Sequence, residues 1–572
     1  MTQPFGITRH CLVVATLVGL VAAVGTFCFP VDAPIAGEFP NALSVSVRAP
    51  QGGRMGVDSE YGAGWNESLC RYITLAPSDQ FTRVSLPLPA GTIVLLRLIL
   101  PDSKPATTAR DARVLDSEGR ILRQFADSDL RADGRIALRT NLKLPTDPRR
   151  RGHVVRLERI AAILLGLAEG SILIAVWRRP KTTPFPTWLS RTVIGVAAAV
   201  ILFSRRPDVF AVPQFWAEDG TVYFLGGTDG WHSLWESQGN YLALLPRLTA
   251  VFSNLAPVFY APTLYETVAV AVCLAAVIKA ASPRVGLPLP AFAALAVVLV
   301  PNMDEITANI TNAQWFGAVI LVLVCISQSP TNFRQTARDV LALILFGLTG
   351  PFVIFAFPLL LWRAVRTHSR GAWMLAALGA VLVILQYRAY YASQPASMPG
   401  TIPFLSPFLA AFGYRTGGQL FALMRPPLFG NPIPWGLVAL ALYALIWVSF
   451  PLRAVVGEVR LALVWMTVAI VGSGFLRYVD HVNLFFEQVF ILRYFYLPLL
   501  FSTWLLLGGL ATLGARRYLA ALALVAAVAC NAPFYRMAPY VDLHWPHYAP
   551  AIQRGQPIQV PINPPAWSFN FP

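Results

Sequence analysis

The chain has 572 residues, 56% of them hydrophobic and 13% charged, with a mean hydropathy of +0.56; this composition excludes a soluble globular protein and points to a polytopic membrane protein. The formal net charge of +16 does not signal a nucleic-acid partner, because Lys and Arg fall in short connections and in one polar segment without forming a continuous basic arm. The six cysteines, Cys11, Cys28, Cys70, Cys273, Cys325 and Cys530, show no CxxC spacing, so neither a zinc site nor a disulfide framework is expected; Cys28 and Cys70 are the pair placed to bridge outside the membrane.

In chain order, residues 1–30 carry an apolar run at 11–27 behind Arg9. It reads as an uncleaved membrane anchor, since "FCFP" is bulky where a signal peptidase needs small residues. From 31 to 151 the composition turns polar, with β-branched or alternating stretches "ALSVSVRAP", "CRYITLAP", "TRVSLPLP", "TIVLLRLIL" and "RIALRTNLKL" separated by Gly, Pro, Asp and Ser. Such a pattern predicts an inserted extracytoplasmic β-sandwich large enough to own a core.

A transmembrane domain is expected over 152–532, with apolar runs near 159–177, 186–204, 262–280, 287–301, 314–328, 337–349, 351–365, 371–391, 435–452, 459–475, 496–512 and 517–532. With the anchor these make about thirteen helices, the shorter ones needing neighbours or local thinning to cross about 30 Å of hydrocarbon. Alternate loops carry the basic residues: "WRRPK" at 177–181, Lys279 with Arg284, Arg334 with Arg338, "WRAVRTHSR" at 362–370, Arg453 with Arg460, and Arg516 with Arg517. Their side is therefore cytoplasmic. Two groups fall on the other face, "DPRRRGHVVRLER" and Arg205 with Arg206; the first follows a long translocated domain, which the rule exempts. The same threading puts the β domain and a C-terminal tail, 533–572, outside the cytoplasm.

Three outer stretches carry chemistry. "QFWAEDGTVYF" places Glu218 and Asp219 between Trp216 and Tyr223, ahead of an amphipathic region containing Trp231, Trp235, Tyr241 and "LLPRLTAVF" with Arg247. Asp-Gly is also a turn dipeptide, but an acid at the mouth of a helix bundle stays ionised only where it meets water, a cation or a partner. "DEITANITNAQW" repeats the pattern with Asp304 and Glu305, then Asn309, Asn312 and Gln314, then Trp315; the amides also suit a helix cap. Paired carboxylates supply a general base for a hydroxyl and oxygen ligands for a hard cation, magnesium or manganese. "RYFYLP" opens a late helix with Arg493, Tyr494 and Tyr496, and the arginine fork suits a phosphate as well as simple snorkelling. His481 and Glu487 lie near it, where a lone His is more often an interface residue than a catalyst.

A helix going out, a long outer loop with an acid pair, and a second outer acid pair resemble the GT-C superfamily of polytopic glycosyltransferases, of the aminoarabinose transferase and O-antigen glucosyltransferase types. "EDGxxY" is similar to their Asp-Glu-x-x-Tyr style of motif, with Asp219 or Glu218 as the matching acid and Tyr223 as its aromatic. The resemblance covers roughly 186–530, and the anchor and β domain precede the usual first helix. It implies an inverting, lipid-phosphate-sugar-dependent glycosyltransferase of a bacterial inner membrane, acting on the extracytoplasmic face. The implied partners are a polyprenyl-phosphate-linked sugar donor, a cell-envelope glycan or glycolipid acceptor and membrane lipids.

Under that resemblance Asp219 and Glu218 are the catalytic acids, and Arg493, Tyr494 and Arg247 hold the donor phosphate. Trp216, Tyr223, Asn309, Asn312, Gln314 and Trp315 line the acceptor or donor pocket, and Asp304 with Glu305 hold a divalent cation. The rival class is a lipid or sugar transporter or flippase, against which stand the placement of charges in outer loops and the lack of a half-length repeat.

Overall fold

The computed structural model describes residues 9–28, 42–51, 53–60, 71–88, 95–99, 107–115, 121–127, 135–139, 148–178, 186–301, 303–392, 405–421, 432–478, 484–487, 491–537, 539–564 and 567–572. They fall into two compact units: Met1–Val31, Leu157–Ala211 and Val222–Ala538 form one, and Asp32–Arg156, Val212–Thr221 and Pro539–Pro572 the other. Segment 212–221, expected within the transmembrane domain, thus groups with the β domain and the C-terminal tail. Cys70 and His481 lie outside the described residues, as does the Glu487 side chain.

In the β-containing unit, strands β1 (Ala42–Ala49), β4 (Ser78–Pro87), β6 (Thr108–Leu115) and β7 (Ile121–Gln124) form an antiparallel sheet in the order β4-β1-β6-β7. A second antiparallel sheet runs β3 (Arg71–Leu75), β2 (Gly53–Glu60), β5 (Leu95–Ile99), β8 (Arg135–Arg139). Because strand side chains alternate in direction, Leu43, Val45 and Val47 of β1 point one way and join Met55, Val57, Leu96 and Leu98 from the other sheet in one apolar cluster. Burying each such side chain is worth about 1.5–3 kcal/mol. At the register shift between β1 and β6, Asp111 takes a φ of 50° and accepts from Arg113 at 2.7 Å and Arg83 at 2.9 Å.

The other unit is helical: α1 (Arg9–Cys28), α2 (Pro148–Arg178, entering from the β unit), α3 (Thr187–Arg205), α4 (Leu244–Ser253), α5 (Ala261–Ala280), α6 (Pro290–Leu299), α7 (Gln314–Cys325), α8 (Phe333–Gly347), α9 (Phe352–Thr367), α10 (Arg370–Ala392), α11 (Leu405–Gly413), α12 (Pro432–Ser449), α13 (Arg460–Arg477), α14 (Arg493–Leu510) and α15 (Ala515–Asn531). Among the described residues, six helices are by length and composition able to cross a membrane, Val155–Val176, Thr187–Arg205, Val258–Ala280, Arg370–Tyr391, Arg460–Arg477 and Ala515–Phe534. Helices α6 and α7 have 10 and 12 residues, well short of the roughly 20 that a crossing needs. They are apolar on every side and almost wholly buried, as interior helices must be.

Helix α11 lies between the apolar runs expected at 371–391 and 435–452, where no helix was expected. It continues into a π-turn, Tyr414–Gly418, and packs on α12 through Gly413 and Gly417, where a Cβ would strike the backbone of Gly436 and Ala439. Small residues at that spacing let two helices approach closely without side-chain obstruction.

Candidate active site

The first acid pair sits on a strained turn in the β-containing unit. Ala217, immediately before the acids, has a φ of 43°, a conformation costly for any residue with a Cβ. It is held there because its N–H donates to the Asn563 carbonyl at 2.5 Å, while the Asn563 N–H donates to the Phe215 carbonyl at 3.0 Å. Trp216 stacks on Tyr540 at 4.9 Å, and Phe215 meets Trp545 edge-on at 4.8 Å. Gly220 lies under Phe569 and Ile562 of the C-terminal hairpin, β9 (Ile558–Ile562) with β10 (Trp567–Phe571), and a Cβ there would crowd the Phe569 ring at 3.0 Å.

Asp219 starts a π-turn, Asp219–Phe224, with its N–H donating to the Trp216 carbonyl at 2.8 Å; π-turns recur at functional sites. Its side chain is 1% exposed, whereas Glu218 is half-buried. The C-terminal tail is therefore the clamp of the acid turn. Asn563 closes it by exchanging side-chain hydrogen bonds with Val541, N–H to Oδ1 at 3.0 Å and Nδ2 to carbonyl at 2.9 Å.

In the helical unit the second acid stretch and the late arginine come together. Arg493 Nη1 donates to Glu305 Oε1, and the Arg493 backbone N–H donates to Glu305 Oε2 at 3.3 Å, across 188 residues of sequence. The Glu305 side chain is 3% exposed and that of Arg493 24%. Asn309 and Asn312 build the loop that carries the carboxylate: their Nδ2 groups donate to the Glu305 carbonyl at 2.8 and 3.0 Å, and the Asn312 N–H donates to Asn309 Oδ1 at 2.9 Å. Between Glu305 and Asn309, Ala308 takes a φ of 58°, so each acid stretch contains one left-handed alanine.

Around this pair, Tyr494 packs edge-on against Trp315 at 5.3 Å and against Tyr478 at 6.3 Å, under the Arg493 guanidinium at 5.5 Å. Gln314 Nε2 donates to the Tyr241 hydroxyl at 3.2 Å. The Trp315 indole N–H is buried and meets no acceptor among the described residues. Arg477 lies over Tyr478 at 5.9 Å and within electrostatic reach of Arg493.

The remaining predicted residues separate. Arg247 is buried under Gly226 with its Nη1 donating to Glu236 at 3.0 Å and its guanidinium over Tyr223 at 5.6 Å; its charge is answered inside the fold. Asp304 is half-buried, and its carbonyl accepts from Arg206 at 2.6 Å. Glu305 is engaged by Arg493, and Asp304 lies within electrostatic reach of the buried Arg205. No group of three or more His, Cys, Asp and Glu side chains with metal-ligating placement occurs among the described residues.

Sequence reasoning missed the role of Arg205 and Arg206, whose signal was their place on the wrong side of the positive-inside pattern. Arg205 is buried and donates to the carbonyls of Val298 at 2.6 Å, Val300 at 3.3 Å and Tyr535 at 3.0 Å. It caps the open carbonyl end of α6, where a cation is favoured, and so fixes the start of the loop that carries Glu305.

No family model matches the chain, and no curated protein matches it. Among solved structures, the cryo-EM structure of arabinosyltransferase EmbB from Mycobacterium smegmatis aligns with 13% identity at a TM-score of 0.26, a level at which neither fold nor activity carries over. The alignment covers 96% of this chain and 63% of EmbB, so the chain spans less than two thirds of that protein's length.

Proposed function

We propose that the chain is a membrane glycosyltransferase that moves a sugar from a polyprenyl-phosphate donor to a hydroxyl of a cell-envelope glycan or glycolipid, on the extracytoplasmic face of a bacterial inner membrane. The observation that carries the reading is the contact of Glu305 with Arg493 beside Tyr494, Gln314 and Trp315. Residues picked from separate stretches for a cation, for the donor phosphate and for the sugar pocket lie in contact here.

In the proposed reaction the acceptor oxygen attacks the anomeric carbon, its proton passing to the Asp219 carboxylate. The bond from that carbon to the phosphate oxygen breaks, the phosphate leaves with the electron pair, and the configuration inverts. Arg493, oriented by Glu305 through one of its five N–H groups, keeps donors for the leaving phosphate, where preorganised charge is worth most. The Trp315 N–H is a buried donor suited to a sugar hydroxyl. A magnesium or manganese ion bound through Asp304 would add phosphate neutralisation. Glu218, the more exposed acid, stands beside the base.

Transfer of radiolabelled sugar from a polyprenyl-phosphate donor in proteoliposomes, without any ion or solute gradient, tests the class. Turnover supports the enzyme; movement of donor across the bilayer with no glycosidic product would assign the transporter reading instead. Arg493→Lys retains the charge but loses the fork, so donor KM should rise with little change in expression. An unchanged donor KM would leave Arg493 a purely structural partner of Glu305.

A further inference from the structure

At the end of α5 away from Glu305, a second set of charges is buried. Asp339 of α8 is 1% exposed and accepts from Lys279 Nζ at 2.9 Å on Oδ1, and from Arg284 at 3.2 Å on Oδ1 and 2.7 Å on Oδ2. Arg363, one turn from the end of α9 and also 1% exposed, donates from Nη1 to the Val324 carbonyl at 2.6 Å. Its Nε and Nη2 are buried and reach no acceptor among the described residues, and neither does Arg284 Nε. Arg363 lies within electrostatic reach of both Asp339 and Arg284, and Lys279 within reach of Arg363. Arg191 of α3, hydrogen-bonded to Ser282 at 3.1 Å, lies within electrostatic reach of Arg338 and Arg284.

Three cations, Lys279, Arg284 and Arg363, thus face one carboxylate, and the surplus is two positive charges. Burying uncompensated charge is costly unless a counter-charge and hydrogen-bond acceptors complete the site. A phosphate group supplies both, with up to two negative charges and several acceptor oxygens matched to the guanidinium fork. Lys279 and Arg284 have side chains 19% and 17% exposed and so are reachable from solvent, whereas Arg363 is 1% exposed. Arg363 also caps the Val324 carbonyl in the last turn of α7, but that contact uses Nη1 and leaves Nε and Nη2 unmatched.

We propose that Lys279, Arg284 and Arg363 form a phosphate-binding site, filled by a lipid headgroup phosphate or by free phosphate, at the opposite end of α5 and α6 from the Glu305–Arg493 centre. The proposal is independent of the reaction assigned above. It is tested on the full chain in nanodiscs of zwitterionic lipid, by titrating inorganic phosphate in one arm and doping the discs with phosphatidic acid in the other. Bound lipid is counted by native mass spectrometry, and the unfolding midpoint is followed in both arms.

A saturable rise of the midpoint in either arm is expected, and the arm that responds identifies the source. Lys279→Gln and Arg363→Gln should each weaken the response about tenfold or more, the loss of one charge-assisted contact; Arg363→Gln can still donate to Val324. Arg334→Gln, on the exposed start of α8, should respond like the wild type. No saturable response in either arm, or an equal response in Lys279→Gln, which does not depend on the folding of the Arg363 variant, overturns the proposal.

Discussion

Glu305→Gln keeps the shape of the side chain and removes its charge, leaving Arg493 without its counter-ion. Breaking a buried pair from one side costs about 3–5 kcal/mol. Here Glu305 is 3% and Arg493 24% exposed, and the partial access of the arginine to water puts the expected loss near the lower limit, about 3 kcal/mol. At about 2 °C per kcal/mol for a large domain, the unfolding midpoint falls by about 6 °C. The assay is a double-mutant cycle of Glu305→Gln, Arg493→Gln and the double variant, read by thermal unfolding of purified protein in one detergent. The double variant should be less damaged than the sum of the singles by about 1.5–3 kcal/mol, because removing both charges leaves neither buried alone. Single effects that add to within about 0.5 kcal/mol would show that the two side chains do not sense each other in the folded protein, and the donor centre would lose its foundation.

Asn563→Ala removes both hydrogen bonds to Val541 and should cost about 2 kcal/mol or more; sugar transfer should fall with it through kcat rather than donor KM, and unchanged kcat would free the acid turn from the tail. Arg205→Met strips the carbonyls of Val298, Val300 and Tyr535 of their donor, so a loss of at least about 3 kcal/mol is expected, and a midpoint within experimental error of the wild type would refute the capping role. Asp111 has its carboxyl held below the ordinary range by its hydrogen bond to Arg113, then against desolvation by Arg83. A depressed folded value means the stabilisation is full above the unfolded pKa and is lost as pH falls through the folded one. The midpoint difference between wild type and Asp111→Asn should therefore shrink on acidification below the carboxylate range, and a difference independent of pH would contradict this.

Local patterns were legible where they reported burial on one face. The alternation in "ALSVSVRAP" and "TIVLLRLIL" marks β1 and β5, whose inward Leu43, Val45, Leu96 and Leu98 are buried. Strand β2 was not legible, since Gly53, Gly56 and Asp58 weaken its propensity and pairing with strands on both sides supplies what the side chains lack. A helix stands at each long apolar run, but α11 hides behind the prolines of its flanks, and α6 and α7 show that apolarity alone does not distinguish a crossing helix from a buried short one.

The acid pairs and Arg493 stood out because charge is conspicuous among apolar residues. Their partners did not. The meeting of Glu305 with Arg493 across 188 residues, and of Ala217 with Asn563 at the far end of the chain, follows no period. Such contacts come from tertiary packing and leave no local trace. The surplus arginines at 205 and 206 were visible as an exception to charge patterning, and their answers, the end carbonyls of α6 for Arg205 and the Asp304 carbonyl for Arg206, lay 93–98 residues downstream.

The central claim is that a carboxylate of the "WAEDG" turn takes the proton of the acceptor hydroxyl, with Asp219 as the base. Its most direct test is single-turnover sugar transfer by purified Asp219→Asn beside Glu218→Gln, with folding verified by the unfolding midpoint. Asn retains the size and turn preference of Asp while removing the base, so transfer should drop by about 10²–10⁴-fold in Asp219→Asn and by much less in Glu218→Gln. Transfer by Asp219→Asn at near wild-type rate would contradict the claim.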